Sequence, residues 1–220
     1  MAKTLYDYWF VQFDFPDSNG KPYKTSGGKM IWNEELKKEI PNGWQVQKIE
    51  KIATIKAGGD KPKVFSFEKK ESCRIPIYSN GISNDGLYGF TEKAVINNQS
   101  VTISARGTIG FSVLRNEPFV PIIRLIVVIP DLAGTTAYYE HCIKNIEFEK
   151  SGSVQQQLTV PQVSKIDILV PNVDVLKMFN EFKTSSIAKS ESIKRENQEL
   201  ASLRDWLLPM LMNGQVKVQD

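Results

Sequence analysis

Residues 173–208 read VDVLKMFNEFKTSSIAKSESIKRENQELASLRDWLL and contain neither glycine nor proline. Helix-favouring residues dominate this stretch, and Pro209 and Gly214 follow it, so the sequence predicts one long helix from about Asn172 to Leu208. Such a helix would be about 55 Å long, at about 1.5 Å per residue. Because a domain of this size could not cover its whole length, we expect the helix to contact a partner.

The apolar residues of this helix fall on a near-heptad stripe, which is typical of coiled coils. They are Leu176, Phe179, Ile193, Leu200 and Leu207, with Lys183, Ser186, Ser190 and Asn197 on the same stripe. A polar residue in a coiled-coil interface usually fixes the register or the orientation of the partner. The pattern favours a coiled coil with a partner helix, formed by the five apolar residues and Asn197. The alternative is a helix that packs against its own domain and has a frayed polar middle.

A globular domain precedes the helix, because short β-prone runs alternate with turn residues from Val46 to about Val170. The runs are QVQKIEKIATI, RIPIYS, AVINNQSVTIS, TIGFSVL, IIRLIVVI and KIDILV. One predicted helix, GTTAYYEHCIKNI, interrupts them, with Thr135 or Thr136 as its N-cap. Together these elements predict an α/β or α+β domain.

The N-terminal part begins with an apolar segment, LYDYWFVQF (5–13), whose pattern is similar to that of LRDWLLPML (203–211). The Gly-, Pro- and Asn-rich stretch 14–30 predicts an exposed connector. WNEELKKEIPNGW (32–44) predicts a short charged helix that Pro41 ends. We therefore divide the chain into an apolar tail and connector (1–31), a globular domain (32–171) and a long helix with a C-terminal tail (172–220).

Composition limits the classes of protein to which the chain can belong. It has 220 residues, 41% of them hydrophobic, which is enough for a buried core. No apolar run of about 18 residues predicts a membrane span, and the N-terminus does not resemble a secretory signal, so we expect a cytoplasmic protein. Cys73 and Cys142 have no partner at metal-ligand spacing and are expected to be reduced thiols.

The motifs of catalysis are missing from the sequence. His141 is the single histidine, and one histidine in a helix is more often a packing or surface residue than a catalyst or zinc ligand. Neither glycine-rich phosphate-binding motif occurs. We therefore expect a non-catalytic binding protein that has no cofactor and no metal; a small hydrolase or transferase that uses Asp and Glu residues is a weaker hypothesis.

Basic and amide side chains are concentrated where a DNA-binding surface could form. The formal net charge is only +3, but eight basic residues oppose four acidic residues between Lys48 and Arg74. Four loops are candidates for contact with DNA: 57–63, 78–90, 96–99 and the turn around Arg106, where SARGTIGF predicts a tight hairpin. The candidate phosphate ligands are Lys56, Lys61 and Lys63, the candidate adenine ligands are Asn80, Asn84, Asn97, Asn98 and Gln99, and the candidate guanine ligand is Arg106.

Three further residues of these loops, Tyr78, Ser79 and Thr108, complete the set of candidates. Each candidate also has an ordinary structural interpretation, because Asn and Gly occupy turns for backbone reasons. Arg106 could support the hairpin instead of contacting a base. Tyr78 and Tyr88 could be core or turn residues.

Several stretches resemble one known family. IPIYSNGISNDGLYGF, VTISARGTIGF and PFVPIIRLIVVIP resemble a target-recognition domain of type I restriction-modification specificity subunits. LASLRDWLLPMLMNGQVKV resembles the end of their spacer helix. LYDYWFVQF and the connector, with residues 32–44 after them, resemble the linker before the second recognition domain. The N-terminal segment would then correspond to the end of a preceding spacer helix.

The resemblance implies a function and a set of partners. Such subunits have two recognition domains held apart by antiparallel helices, and each domain reads one half of a bipartite site in double-stranded DNA. The helices dock the adenine methyltransferase subunits, and a separate restriction (motor) subunit provides cleavage. With one recognition domain, this chain could form a homodimer, pair with a different half or be a fragment. The alternative function is a coiled-coil protein-interaction module with no role in DNA binding.

Overall fold

The computed structural model describes residues 2–146, 148 and 157–213. The chain divides into two compact units, Met1–Asn180 and Glu181–Asp220. The strands are β1 (Met30–Asn33), β2 (Lys38–Pro41), β3 (Gln45–Lys48), β4 (Ala53–Ala57), β5 (Ile75–Tyr78), β6 (Leu87–Thr91), β7 (Ser100–Ile103), β8 (Ser112–Arg115), β9 (Val120–Pro121), β10 (Ile126–Pro130) and β11 (Asp167–Val170). The helices are α1 (Ala2–Tyr6), α2 (Thr136–Lys144), α3 (Val160–Ser164) and α4 (Val173–Met212), with a π-helical turn at Asp7–Val11 and a 3₁₀ turn at Ile49–Lys51.

An antiparallel sheet with the strand order β4-β10-β7-β8 forms the centre of the first unit. Ile126 of β10 is opposite both Ala57 of β4 and Ile103 of β7, and Ile103 is also opposite Ser112 of β8. Strand β7 and the first three residues of β10 are buried on both faces, which fits the continuous apolar sequence of β10. The mixed α+β class is therefore confirmed, and each of the six predicted β runs contains a strand.

Three smaller sheets surround this centre. β5 pairs with β6 antiparallel and with β9 parallel, and the register of the β5–β6 pair shifts between Ile77 and Tyr78. β3 pairs with β11, and β1 pairs with β2. Strand β6 begins at Leu87 and takes up the last four residues of the stretch 78–90 that was predicted to be a single loop.

The β1–β2 pair corrects the prediction of a helix over residues 32–44. The side-chain oxygen of Asn33 accepts a 2.8 Å hydrogen bond from the backbone amide of Leu36, and Lys37 has a φ of 49°. These features form a tight turn that joins two antiparallel strands. Ile40 is buried while the charged residues face solvent, so the charge pattern fits a hairpin as well as a helix.

Packed aromatic rings join the N-terminal segment to the core of the first unit. The ring of Phe10 lies 4.6 Å from that of Tyr138 on α2 and 5.0 Å from that of Phe179 on α4. Tyr6 also contacts Tyr138 and Phe179. The N-terminal segment is helical over Ala2–Val11, as its likeness to the end of a helix predicted, and its buried rings belong to this core. That it is the end of a preceding spacer helix stays a prediction, as do the three predicted segments of the chain.

Helix α4 begins in the first unit and corrects one part of the partner-helix prediction. Leu176 is 1% exposed and Phe179 is 0% exposed, so both residues belong to the domain's own core and not to a partner surface. The sequence pattern could not distinguish the two roles, because core residues and coiled-coil residues have the same spacing.

The second unit consists, over its described residues, of α4 from Glu181 onwards. Ile193 and Leu200 are exposed and Leu207 is half-buried. The helix continues to Met212, beyond the predicted end at Leu208, with Pro209 inside its last turn. The amide of Asn213 still donates to the carbonyl of Pro209 at 3.0 Å. The side chain of Ser190 and the tail 214–220 lie outside the described residues.

Two short helices complete the first unit. α2 confirms the helix predicted over GTTAYYEHCIKNI, and Thr135 occupies its N-cap position. The hydroxyl of Thr135 donates to the carbonyl of Leu132 and makes no cap hydrogen bond. α3, which was not predicted, begins with a capping box between Thr159 and Gln162.

Candidate nucleic-acid interface

Four loops meet at one edge of the central sheet. Because its strands are antiparallel, the C-terminal ends of β4 and β7 lie beside the N-terminal ends of β8 and β10. The loop after β4 (58–63), the β7–β8 loop (104–111) and the turn before β10 (122–125) are therefore neighbours. The β5–β6 loop (79–86) joins them through hydrogen bonds of Asn80.

The glycine pair after β4 packs directly on the turn before β10. The amide of Gly58 donates to Leu125 at 2.8 Å, and the amides of Ile123 and Arg124 donate to Gly59 and Gly58 at 3.0 and 3.1 Å. A Cβ atom on Gly58 would lie 2.8 Å from the carbonyl carbon of Pro121. Only glycine allows this close approach of the two backbones.

The turn before β10 has an unusual backbone conformation. Ile123 and Arg124 have φ values of 54° and 59°, a region that a β-branched residue such as isoleucine rarely adopts. Such strain persists only where the surroundings impose it, and it is frequent at functional sites. Both side chains face solvent, so the strained turn presents a cation and an apolar group at the edge of the sheet.

Asn80 links three of the loops. Its side-chain nitrogen donates to the carbonyl oxygen of Ile123 at 2.7 Å, and its side-chain oxygen accepts from the amide of Ala105 at 2.7 Å. One amide hydrogen and one lone pair of the side-chain oxygen are therefore engaged by the backbone. Asn80 thus positions the loops, and its role as an adenine ligand stays a prediction.

A groove of about 450 Å³ lies between these loops, and we call it the glycine-loop groove. Its lining residues are Gly58, Gly59, Asp60, Lys61, Arg106, Ile123 and Arg124. Three of the side chains are cationic and one is anionic, so the groove suits an anionic ligand such as a phosphate. Arginine could also donate two hydrogen bonds to a guanine edge.

Two of the groove cations have defined positions. The guanidinium of Arg106 donates to the side-chain oxygen of Gln157 at 2.8 and 3.2 Å. The ammonium nitrogen of Lys61 lies 3.9 Å from the centre of the Phe65 ring, a favourable cation–π contact. Because both side chains are exposed, these contacts orient the charges without removing them from solvent.

A buried arginine supports the β5–β6 loop from below. The guanidinium of Arg115 lies 3.5 Å from the centre of the Tyr78 ring, donates to Thr102 at 3.1 Å and donates to the carbonyl of Asp85. Burial lowers the pKa of Arg115 and raises the pKa of Tyr78 to about 12. Tyr78, which also donates to Glu117 at 3.0 Å, thus has structural contacts, and its role in DNA binding stays a prediction.

Comparison with known proteins identifies the family. A family model described as the type I restriction modification DNA specificity domain matches residues 41–201. The chain belongs to this family.

Individual relatives agree with the family assignment. A protein of Mycoplasma pneumoniae described as a type I specificity subunit is 34% identical over 143 residues, which cover 64% of this chain and 40% of the relative. The type I restriction enzyme MjaIX specificity subunit of Methanocaldococcus jannaschii is 22% identical over 100% of this chain and 53% of its own length. The chain thus spans about half the length of these curated relatives.

Solved structures of type I specificity subunits have a similar fold. The S subunit from M. genitalium matches with a TM-score of 0.59 at 18% identity, over 76% of this chain and 45% of that protein. The HsdS subunit from Thermoanaerobacter tengcongensis matches with a TM-score of 0.51 at 17% identity, over 85% of this chain and 48% of that protein.

Several sequence-predicted candidates of this specificity domain lie near the groove without lining it. Lys56 is exposed on β4 opposite Val127, two residues before Gly58. Lys63 and Thr108 are exposed in two of the converging loops. Ser79 is half-buried, and its amide donates to the carbonyl of Gly86 at 2.9 Å.

The remaining amide candidates are divided between two regions. Asn84 is exposed in the β5–β6 loop with a φ of 47°, which asparagine tolerates better than most residues. Asn97, Asn98 and Gln99 precede β7, so they lie at the opposite end of this strand from Arg106. Gln99 donates to the side chain of Asn116 at 2.8 Å. These three residues are therefore not part of the glycine-loop groove.

The structure adds residues to the site that sequence reasoning missed. Arg124 lies within IIRLIVVI, whose apolar residues predict one strand. Gln157, which binds Arg106, lies in a polar stretch without a motif. The SARGTIGF segment does form a hairpin between β7 and β8, but its loop has eight residues (104–111) and is not tight.

Among the described residues, no group of three or more His, Cys, Asp or Glu side chains could hold a metal ion. His141 is buried on α2, where its ring stacks on Tyr6 at 5.1 Å. Cys142 lies beside them, with its sulfur 3.4 Å from the Tyr6 hydroxyl. In the part of the chain that the structure describes, no helix has the length and hydropathy of a transmembrane segment.

Proposed function

We propose that this chain is a non-catalytic specificity component of a type I restriction-modification complex and reads one half of a bipartite site in double-stranded DNA. The observation that carries the proposal is the glycine-loop groove. In it Lys61, Arg106 and Arg124 face solvent on loops held together by Asn80 and Gly58. Preorganised cations on a rigid sheet edge suit phosphate and base contacts, which together give position and sequence preference.

The proposal divides the contacts by chemistry. Lys61, with Lys56 and Lys63 nearby, provides charge for the phosphate backbone. Arg106 and Arg124 have the planar fork that matches a guanine edge. Asn84 and Thr108 are exposed in the adjacent loops and complete the contact surface.

The second part of the proposal assigns the partners to α4. Over the second unit its exposed apolar side chains include Ile193, Leu200, Leu203 and Trp206. Asn197 is exposed among them, where a polar residue could set the register of an antiparallel coiled coil. We propose that this surface pairs with a second helix and docks the adenine methyltransferase subunits, while a restriction (motor) subunit joins the same complex.

The partner of α4 is a second copy of this chain, a different half specificity subunit or, if this chain is a fragment, another part of the same longer protein. A homodimer would present two equal recognition domains and would require a palindrome interrupted by a spacer. A different half would require an asymmetric bipartite site. A coiled-coil interaction module with no role in DNA binding would require neither kind of DNA site.

The deciding experiment is coexpression of the chain with the methyltransferase subunit of its own host, followed by mapping of methylated adenines by long-read sequencing. A split palindromic motif would show that two copies suffice, and a split asymmetric motif would show that another half contributes. Lys61→Gln combined with Arg124→Gln should abolish the motif, while Lys29→Gln, an exposed lysine outside the groove, should not. No methylated motif from soluble, associated proteins would overturn the proposal.

A further inference from the structure

Phe67 is an exposed aromatic residue in an unusual setting. It is 71% exposed, more than any other large hydrophobic side chain described in the first unit. Its ring lies 5.3 Å from that of Phe65 and 5.9 Å from that of Tyr88. We call Phe65, Phe67 and Tyr88 the aromatic cluster. Phe65 and Tyr88 pack on the buried residues Ile77, Val120 and Ile122, so the cluster is anchored at its base and open at Phe67.

The backbone that carries Phe67 is held firmly. Ser66 exchanges two hydrogen bonds with Phe90 of β6, at 2.9 and 2.8 Å. A Cβ atom on Gly89 would lie 2.6 Å from the carbonyl oxygen of Ser66, so the two backbones are in close contact. The hydroxyl of Thr91 donates to the carbonyl of Val64 at 2.7 Å. Phe67 is therefore a preorganised protrusion, and its exposure is not the result of an untethered loop.

The chain segment that carries Phe67 is rich in basic residues. Between residues 61 and 74 five basic residues oppose two acidic residues. The basic side chains, all exposed, are Lys61, Lys63, Lys69, Lys70 and Arg74. An exposed aromatic side chain in a basic segment suits a nucleic acid, which has both negative phosphates and apolar base faces.

The aromatic cluster adjoins the glycine-loop groove. Lys61 lines the groove and also places its ammonium nitrogen 3.9 Å from the centre of the Phe65 ring. Phe65 in turn contacts Phe67. One ligand that crosses the groove could thus reach Phe67 without leaving the protein surface.

We propose that Phe67 makes a direct apolar contact with the bases of the duplex bound in the glycine-loop groove, by stacking on a base or wedging at a base step. The inference rests on the proposed DNA-binding function and adds to it a residue and a type of contact. Phe65 and Tyr88 fix the ring, and the neighbouring lysines hold the flanking phosphates. Apolar side chains that enter a base step kink the duplex, and the bent DNA then contacts a larger area of the protein surface.

The test separates apolar from ionic contributions to affinity. A stacking contact releases no counterions, so Phe67→Ala should weaken binding at every salt concentration and leave the slope of log K against log salt unchanged. The probe is a fluorescein-labelled duplex of mixed sequence, titrated with the full chain over a salt series. Loss of one base–aromatic contact corresponds to roughly a fivefold to hundredfold weaker affinity. Phe67→Trp should retain most of the affinity.

The matched control is Trp32→Ala, which removes a 56% exposed aromatic side chain from strand β1, outside both the groove and the aromatic cluster. It should leave affinity unchanged. If the wild type binds and Phe67→Ala binds equally well, the inference is overturned while the proposed function stands. If the wild type shows no salt-dependent affinity, the proposed function itself fails.

A second measurement, photocrosslinking, uses the wild-type chain and therefore does not require that a variant folds. A duplex with 5-iodouracil in place of thymine crosslinks under light to aromatic side chains that touch the base. The wild-type chain should give a crosslinked peptide that contains Phe67. Crosslinks only at other residues would overturn the inference. This is the result expected if Phe67 contacts a protein partner instead of DNA.

Discussion

The side-chain amide of Asn80 donates a 2.7 Å hydrogen bond to the carbonyl oxygen of Ile123. The same amide accepts from the backbone of Ala105, so one residue of the β5–β6 loop fixes the turn before β10 and the β7–β8 loop. The amide of Ile122 also donates to the carbonyl of Tyr78 at 2.9 Å, so the Asn80 bridge strengthens an existing contact with the turn and extends it to the β7–β8 loop.

Replacement of this bridge should cost stability and affinity together. Asn80→Ala leaves two backbone groups without their partner, and we expect a loss of about 1–3 kcal/mol in the free energy of unfolding. Urea titration followed by tryptophan fluorescence measures it. Asn98→Ala, at an exposed position that precedes β7, should change the midpoint little. Equal midpoints for the two variants would contradict the bridging role.

The groove cations should contribute to the salt dependence of DNA binding. Lys61→Gln should lower the magnitude of the slope of log K against log salt by about one and weaken binding to all sequences alike. Lys63→Gln should do the same. Titrations over a salt series measure both slopes, with Lys29→Gln as the control. An unchanged slope in both variants would mean that the loop 58–63 does not contact phosphates.

Arg115 should be required for stability in a way that another cation cannot replace. Arg115→Lys keeps the charge but cannot reach Thr102 and the carbonyl of Asp85 together, so it should lose about 1–3 kcal/mol of the free energy of unfolding. Arg74→Lys, at an exposed position, should lose almost nothing. Chemical denaturation of both variants checks the difference, and a wild-type midpoint for Arg115→Lys would contradict it.

The two parts of α4 should respond differently to the same truncation. Phe179→Ala empties a fully buried position and should destabilise the first unit by about 3–5 kcal/mol. Leu200, which is 62% exposed, should give little change in unfolding when replaced by alanine but should weaken association with a partner helix. Thermal unfolding and sedimentation measure the two effects. The assignment fails if Leu200→Ala unfolds the domain or leaves association intact.

Alkaline pH should destabilise the first unit. Burial raises the pKa of the Cys142 thiol to about 11, from an ordinary value near 9, and also raises the pKa of Tyr6 and Tyr138. The folded state therefore favours the neutral forms. The stability from the thiol is fully present below about pH 9 and is lost as pH rises through 11. Cys142→Ala should decline less steeply over this window in urea titrations; an equal decline would rule out the thiol.

The central sheet could be predicted from the sequence because its strands are short runs of β-branched and aromatic residues between turn residues. Residues 32–44 could not, because their charged positions satisfy a helix and a hairpin equally and the turn at Asn33 decides between them. Strand β6 was not predicted, because Gly86 and Gly89 made its sequence resemble a loop.

The candidate site was predictable by region and not by residue. Lys61 and Arg106 were found because basic residues on glycine-rich loops are visible in the sequence. Arg124 was hidden by its apolar neighbours, and the role of Asn80 depends on backbone groups that are distant in the chain. Leu176 and Phe179 fit the heptad pattern of α4, but they precede the unit boundary at Asn180 and are buried in the first unit.

The contact of Phe10 with both Tyr138 and Phe179 has a practical consequence for exchanging recognition domains between proteins. A transplant cut at residue 32 would leave Tyr6, Phe10, Phe13 and Phe15 behind and open the core. A transplant that starts before α1 and ends after Asn180 carries both closing segments with it. The aromatic core formed by the N-terminal segment, α2 and the start of α4 thus defines the module that can be transferred. A designer must keep the N-terminal segment in it.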